Sequence, residues 1–402
     1  MRAGLTTRGW TLVAAGIAWC VLAALIGQRD LWWPGLFLAL LPLASLLLLI
    51  PGRGRVDVDR RVAPTRVQVG EAAEVRLTFD PRSPTLGGVA RVRDRLPPAL
   101  GEGRWYGFPS GLGRWEQTVT YEVRARWRGR HLLGPAERSI ADGLGLARIG
   151  RVFPGQTPLL ATPVVEPLTN LRDASGLGMA TDTTLLRTGL GGADDVLIRD
   201  YRQGDDVRRI HWRSSARTGA LMVRREERAW EPNATVIIDN RSRSYSARRP
   251  DRRLEWAVSA AASIAVHLLR DGFDLSLVES DGAIVSPRRA GTAREAVVLE
   301  RLALLRPDDT PTLADALAAC RRGADGQLLV AILGRVDAAD AVALAEAGRH
   351  GRSCWALLVA SDSALDDEAA AAVRMAGWRC VSAGPDTTVA AAWRGFREED
   401  SR

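Results

Sequence analysis

The chain has 402 residues, enough for two or three domains with separate cores. Its formal net charge is +8, but all 55 basic residues are arginine in an Ala- and Gly-rich background, so the charge reads as compositional bias and no nucleic-acid partner is expected. Cys20, Cys320, Cys354 and Cys380 lie too far apart for a zinc or redox motif, and His131, His211, His267 and His350 are equally scattered.

No metal or cofactor is therefore signalled, and the cysteines read as small buried hydrophobes of a reducing compartment. From Trp10 to Gly27 the chain is apolar and uncharged, and after Gln28, Arg29 and Asp30 a second such run extends from Leu31 to Pro51. Each has about the ~20 residues that cross a hydrocarbon core. No small-x-small cleavage pattern follows the first run and the second begins at once, so residues 1–54 read as a transmembrane hairpin rather than a signal peptide. Arg2 and Arg8 precede the hairpin, and Arg53, Arg55, Arg60 and Arg61 follow it, whereas its connection carries one Arg and one Asp. The positive-inside rule then places both termini and the rest of the chain in the cytoplasm, on the inner face of the cell membrane. Trp10, Trp32 and Trp33 fall where interfacial aromatic anchors lie.

Residues 55–168 change to short alternating runs broken by Gly and Pro. Val56, Val58, Val67, Val69, Val75, Leu77, Phe79, Val89, Val92, Val119, Tyr121 and Val123 fit period-two strands, with turns at Asp80, Pro81 and Gly87. The pattern predicts a small antiparallel β-sandwich-like domain whose alternating charges form a solvated face. Residues 169–195 are polar and Gly-rich, with no phosphate-loop pattern and no strand leading into a glycine fingerprint, so they read as a connector.

Arg199 to Glu227 is the stretch densest in groups that pair charge, stack and hydrogen-bond. Gly204, Asp205 and Asp206 suit a turn into a helix, and Gly219 suits its close before a strand from Leu221 to Val223. Exposed pairs contribute only ~0–1 kcal/mol each, so this density points to an ion-pair network joining two domains or to a docking surface, and the two are compatible. Asp205, Asp206 and His211 offer an acid/base set, and Ser214 or Ser215 a nucleophile, but the spacing matches no nucleophile elbow or paired-His motif, so a non-catalytic role is expected. The alternatives are a hydrolase-like enzyme using those residues, or an Arg-rich binder of anionic lipid or nucleic acid.

Residues 233–402 alternate strand and helix. Ala234 to Asp239, Phe273 to Val278, Leu328 to Leu333, Trp355 to Ala360 and Trp378 to Val381 read as buried strands. Between them lie helical stretches led by Leu254 to Leu268, Val297 to Leu305, Leu313 to Ala319, Ala338 to Ala347 and Glu368 to Met375. The succession predicts a doubly wound α/β domain, with ligand-end candidates Asp239, Asn240, Gly334, Ser361 and Asp362 beyond the strands' carboxyl ends.

The central stretch closely resembles the bacterial domain-of-unknown-function 58 family. The residues that carry the resemblance are Arg199 to Tyr201 (R-D-Y), Gly204 to Asp206 (G-D-D), Arg208 to Trp212 (R-R-I-H-W) and Ser215 to Gly219 (S-A-R-T-G). Asp142 to Leu146 (D-G-L-G-L) is similar to a further motif of that family, with Gly143 and Leu144 in place of its Pro and Phe. The resemblance implies a membrane-anchored protein with a β-domain and a von Willebrand factor A-like domain. It implies a role as adaptor or assembly factor beside MoxR-type AAA+ ATPases, and in some bacteria beside transglutaminase-like membrane proteins. The density of charged and stacking groups in the segment 169–232 makes Arg199, Tyr201, Gly204, Asp205, Asp206, Arg208, Arg209, His211, Trp212, Ser215, Arg217 and Gly219 the expected junction or partner-binding residues. The A-like domain's metal motif, D-x-S-x-S, corresponds to Asp239 to Arg243, where Arg241 and Arg243 replace the serines and Ser242 and Ser244 are each displaced by one residue. A guanidinium cannot ligate a cation, so this loop is expected to be degenerate, with Arg241 and Arg243 facing an acidic partner.

Overall fold

The computed structural model describes residues 2–49, 56–81, 88–110, 117–169, 197–200, 212–225, 233–245, 251–287, 293–322, 328–348, 353–359 and 363–398. It divides into two compact units, Met1–Pro163 and Val164–Arg402.

The first unit begins with a short strand, β1 (Arg2–Leu5), that leads directly into helix α1 (Thr7–Ile26). The Thr6 hydroxyl caps α1 by accepting from the Gly9 amide, and Gly27 closes it at φ 75°. Helix α2 (Trp32–Leu48) runs back along α1. The two cross at glycines: a Cβ on Gly16 would lie 2.6 Å from the Ala39 amide nitrogen and 2.7 Å from the Gly35 carbonyl oxygen. Small residues at such a crossing let two backbones approach where no hydrophobic effect drives association. Helix α1 and the helical stretch Arg29–Leu48 that contains α2 are long and apolar enough to cross a membrane, and their outward side chains include Trp10, Ile17, Leu25, Trp33, Phe37 and Leu47.

Among the described residues the same unit contains three sheets. Strands β2 (Val56–Ala63), β4 (Ala72–Pro81) and β7 (Gln117–Arg124) form the first. Strands β3 (Arg66–Gln68), β11 (Thr157–Thr162) and β8 (Gly129–Leu133) form the second. In the third, β1 lies at one edge and is followed by β10 (Ala147–Phe153), β9 (Ala136–Ala141), β5 (Gly88–Asp94) and β6 (Tyr106–Ser110). Period-two alternation puts Val75, Leu77 and Phe79 on one face of β4, where they join two apolar clusters, one shared with the second sheet and one with the third.

Three expectations are corrected here. The N-terminal hairpin is not a separate domain, because β1 pairs antiparallel with β10, Leu5 opposite Ala147, and Leu49 is buried with Ala90, Ile140 and Ile149. The β-region is not wholly antiparallel: β3 and β11 pair in parallel, as strands so far apart in sequence are free to do. Nor are its charges all solvated. Arg60 donates to Asp94 at 2.7 and 2.6 Å, and the Tyr121 hydroxyl donates to Asp94 at 2.6 Å, with both charged side chains almost fully buried. Burial, reinforced by the Asp94 charge, holds the Tyr121 hydroxyl well above its ordinary pKa, so it remains a donor.

The second unit starts at Val164, so residues 164–168, assigned from the sequence to the β-domain, lie on the α/β unit instead. The Glu166 amide donates to Ser263 Oγ at 2.9 Å, and the Glu166 carboxylate accepts from the Ala390 amide at 3.1 Å. Strands β12 (Leu197–Asp200) and β13 (Met222–Arg225) pair antiparallel, with helix α3 (Trp212–Thr218) between them in sequence.

The main sheet contains β14 (Asn233–Ile238), β15 (Asp274–Glu279), β16 (Ile284–Val285), β17 (Leu328–Leu333), β18 (Ser353–Val359) and β19 (Arg379–Ala383). Their spatial order is β16-β15-β14-β17-β18-β19, parallel throughout except for the edge strand β16. Alternate residues face opposite sides. Val236, Ile238, Val330 and Ile332 pack with α4 (Arg252–Arg270), α5 (Ala293–Leu304) and α9 (Val389–Glu398). Ile237, Leu329, Ala331 and Leu333 pack with α6 (Ala314–Arg322), α7 (Ala338–Gly348) and α8 (Ser363–Met375). A sheet covered on both faces requires such continuous apolar strands. After β14 the chain goes first to β15 on one side, and later to β17 on the other. The carboxyl ends of β14 and β17 therefore flank the crevice where open α/β sheets place ligands.

Candidate functional site

That crevice is closed by charge. Asp239 follows the last residue of β14 and extends the pairing, its amide donating to the Ile332 carbonyl at 2.9 Å. Its carboxylate is fully buried and accepts from Arg241 Nε at 2.9 Å, Arg241 Nη2 at 3.0 Å, Ser244 Oγ at 2.8 Å and the Gly334 amide at 3.1 Å. Gly334, just past β17, has no room for a side chain, since a Cβ there would lie 2.6 Å from that of Ser244.

The Arg241 side chain turns inward from this loop and is itself 0% exposed. Its Nη1 donates to both oxygens of Asp340 at 2.9 Å, and its Nη2 also donates to the Arg335 carbonyl at 3.0 Å. Asp340, in the first turn of α7, is equally buried and accepts from the Leu313 amide at 3.0 Å. Burial alone works against the Arg241 charge, but the hydrogen bonds and charges of Asp239 and Asp340 outweigh it and raise the guanidinium above its ordinary pKa. Tyr245 donates to the Asp239 carbonyl at 2.8 Å, and its hydroxyl is held neutral first by burial and then by the Asp239 charge.

Around the rim, Arg243 donates to Asp337 at 2.7 Å, both about half-exposed, and to Asp340 at 3.3 Å. The Asp340 amide hydrogen bond, followed by Arg243, lowers the Asp337 pKa. Asn240 reaches the other way, its side-chain oxygen accepting from the Ser280 amide and hydroxyl and its nitrogen donating to the Arg306 carbonyl.

This corrects the expectation that Arg241 faces a partner. Two carboxylates without solvent repel each other and lose hydration, and a forked cation between them offsets both costs. Only Arg243, on the rim, remains half-exposed. The arrangement also does not fit a divalent ion, whose oxygen ligands at ~2.0–2.6 Å would bring it against a guanidinium already bound to the same oxygens. Ser242 takes part through its backbone, donating to the Asp308 carbonyl at 2.6 Å. Sequence reading missed Asp340, Asp337 and Tyr245. The available signal was an acid in the first turn of the helix after a buried strand.

The Arg-rich stretch is described in part. Arg199 lies on β12 opposite Val223, and Trp212 opens α3 with 69% of its surface exposed. Ser215 Oγ accepts from the Met222 amide at 2.8 Å, and Gly219, at φ 71°, ends the helix with its amide on the Ser215 carbonyl. Arg217 is exposed in the last turn of α3. Tyr201, Gly204, Asp205, Asp206, Arg208, Arg209 and His211 lie outside the described residues, as do Ser361 and Asp362.

No curated protein matches this sequence. Among solved structures, the alkylpurine DNA glycosylase AlkC of Pseudomonas fluorescens, bound to DNA containing an abasic site analog, is 13% identical over 39% of this chain and 43% of its own, at a TM-score of 0.17. The β-glucosidase of Listeria innocua is 13% identical over 27% of this chain and 16% of its own, at 0.16. Cwp6 of Clostridium difficile is 10% identical over 85% of this chain and 56% of its own, at 0.14. This chain thus spans less than half the length of the first two, and likenesses at these scores carry no argument about fold or activity. The family model for protein of unknown function DUF58 matches residues 197–363, from β12 to the start of α8 and so across the Arg241 cluster, and this segment of the chain is a DUF58 family segment.

Proposed function

We propose that this chain is a membrane-anchored, non-catalytic adaptor whose α/β unit docks an AAA+ ATPase of the MoxR type on the cytoplasmic side. The observation that carries the reading is Trp212, a large aromatic side chain 69% exposed on a short helix within the family segment. Exposed Trp flanked by Arg is the composition of interface hot spots, and Arg213 and Arg217 are exposed on the same helix. Two features support it. The sheet order, with one antiparallel edge strand, is compatible with a von Willebrand factor A-like binding domain. The crevice that would hold a ligand is filled by Arg241, so the unit's recognition is assigned to its surface. The class of partner comes from the family resemblance, and the membrane anchor from α1 and α2.

The test is co-purification of the full chain from membranes with the AAA+ ATPase. Trp212→Ala is expected to weaken capture by roughly 30-fold, the equivalent of a hot spot of about 2 kcal/mol. Met375→Ala, at a residue 84% exposed on α8, serves as control. Equal recovery with Trp212→Ala and the parent chain refutes docking at α3.

A further inference from the structure

We propose that the turn 142–146 of the first unit is a membrane-surface contact, with Leu144 seated in the lipid interface beside α1. The inference rests on the reading that α1 and α2 cross a bilayer. It concerns what that bilayer touches besides the two helices.

The turn is built onto the start of α1. The Thr6 amide donates to the Leu146 carbonyl at 2.9 Å, and the Thr6 hydroxyl donates to the carbonyls of Gly145 at 2.6 Å and Leu146 at 3.1 Å. Gly9, in the first turn of α1, lies so close to the Leu146 carbonyl that no Cβ fits between them. Leu144 is thus one residue from a residue bonded to the α1 cap. Twenty helical residues span ~30 Å, the thickness of a hydrocarbon core. All of α1 is therefore used in crossing, and Thr6 and the turn fall at the boundary between hydrocarbon and headgroups.

The turn is also suited to a layer poor in water. The Asp142 carboxylate accepts from the Leu144 amide at 3.1 Å and the Ala147 amide at 2.7 Å, and the Asp142 carbonyl accepts from the Gly145 amide at 3.0 Å. With the Thr6 bonds, the amides of Leu144, Gly145 and Ala147 and the carbonyls of Gly145 and Leu146 have partners within the protein, which is what backbone entering a bilayer interface requires. What the turn presents outward is Leu144, 61% exposed.

The surroundings fit lipid. Trp10, 63% exposed in the first turn of α1, is at the depth where indole rings anchor. The exposed Arg8 on α1, and Arg148 at the start of β10, supply cations at headgroup level. The outward apolar side chains of α1 continue this surface into the core. The third sheet is then held at the membrane by three attachments: β1 into α1, Leu49 at the end of α2, and Leu144.

The experiment uses the full chain, with Cys20 replaced by Ala and the three buried cysteines retained, in phosphatidylethanolamine/phosphatidylglycerol vesicles. A bimane label is placed in turn at Leu144→Cys, at Ile17→Cys in mid-α1, and at Gln156→Cys beyond the far end of β10. Doxyl-lipid quenchers at shallow and mid-chain depth report position. Leu144 is expected to be quenched about twice as strongly by the shallow as by the mid-chain quencher, as for an apolar group ~5–10 Å into the headgroup boundary. Ile17 is expected to show the reverse, and Gln156 no quenching. If Ile17 is quenched and Leu144 is not, the surface contact is wrong and the anchor stands. If Ile17 is not quenched by either lipid, the anchor fails and the inference with it.

Discussion

Replacing Arg241 by methionine keeps an unbranched apolar stem of similar length and removes the charge with its donors. Every charged partner of that side chain is fully buried, and it bonds Asp239 and Asp340 at 2.9–3.0 Å. At an effective dielectric near 20, one such pair separated by ~4 Å is worth about 4 kcal/mol of attraction. Breaking a buried pair by removing one partner costs ~3–5 kcal/mol, because the remaining charges stay desolvated. Against a total stability of ~5–15 kcal/mol, Arg241→Met therefore removes a large fraction of what holds the β14 loop to α7. Hydrogen exchange of the full chain in detergent micelles, followed by mass spectrometry on peptides covering Asn233–Ile238 and Ala338–Gly348, reads this directly. A loss of ~3 kcal/mol corresponds to exchange accelerated about 100-fold in both segments. The double variant Arg241→Met/Asp340→Asn, which removes one charge of each sign, is expected to recover part of the loss. Exchange within about twofold of the parent in the single variant would falsify the claim that the guanidinium locks the sheet end.

Two further outcomes follow from other parts of the molecule. His267 on α4 is buried, its Nε2 3.6 Å from Asp271 Oδ2, and burial lowers its pKa from 6.5 more than the Asp271 charge raises it. The unfolded chain therefore takes up the proton first as pH falls through about 6.5, so the second unit loses stability on acidification from pH 7 towards about 5. The denaturation midpoint of His267→Gln is expected to fall less over that interval, and an equal fall in both chains assigns the slope to other groups. In the hairpin, Gly16→Leu places a side chain against the backbone of Ala39 and Gly35 and separates the helices. Maleimide labelling of Cys20, which packs on Gly35, is expected to speed up about tenfold. An unchanged rate means that the crossing is not close.

Local pattern made much of the architecture legible. Two uninterrupted apolar runs gave α1 and α2, and Leu328 to Leu333 was read to the residue as a buried strand. The parallel sheet followed from the alternation of apolar strands with helices led by Leu254, Val297, Leu313, Ala338 and Glu368. Helix α9 was legible and missed, although Val389, Ala392, Trp393 and Phe396 have the i, i+3, i+4, i+7 spacing of a buried face. Strand β1 was not legible, because four residues, two of them Ala and Gly, carry no strand signal until β10 lies beside them.

By itself the sequence determined which residues share a face, because burial repeats with a period of two or 3.6 along the chain. It also held the family segment, and the absence of serine at the third and fifth positions of Asp239 to Arg243. What only the tertiary structure decided was where the charges go. Arg241 reads locally as a surface arginine in a loop, and it points inward because Asp340, 99 residues later, enters the same crevice when β17 takes its place on the other side of β14. The Asp142 turn reads as an ordinary connection between strands until Thr6, 139 residues before Gly145, bonds it to the start of α1. In both cases the partner that decides the side chain's environment is remote in sequence, and no periodicity records it.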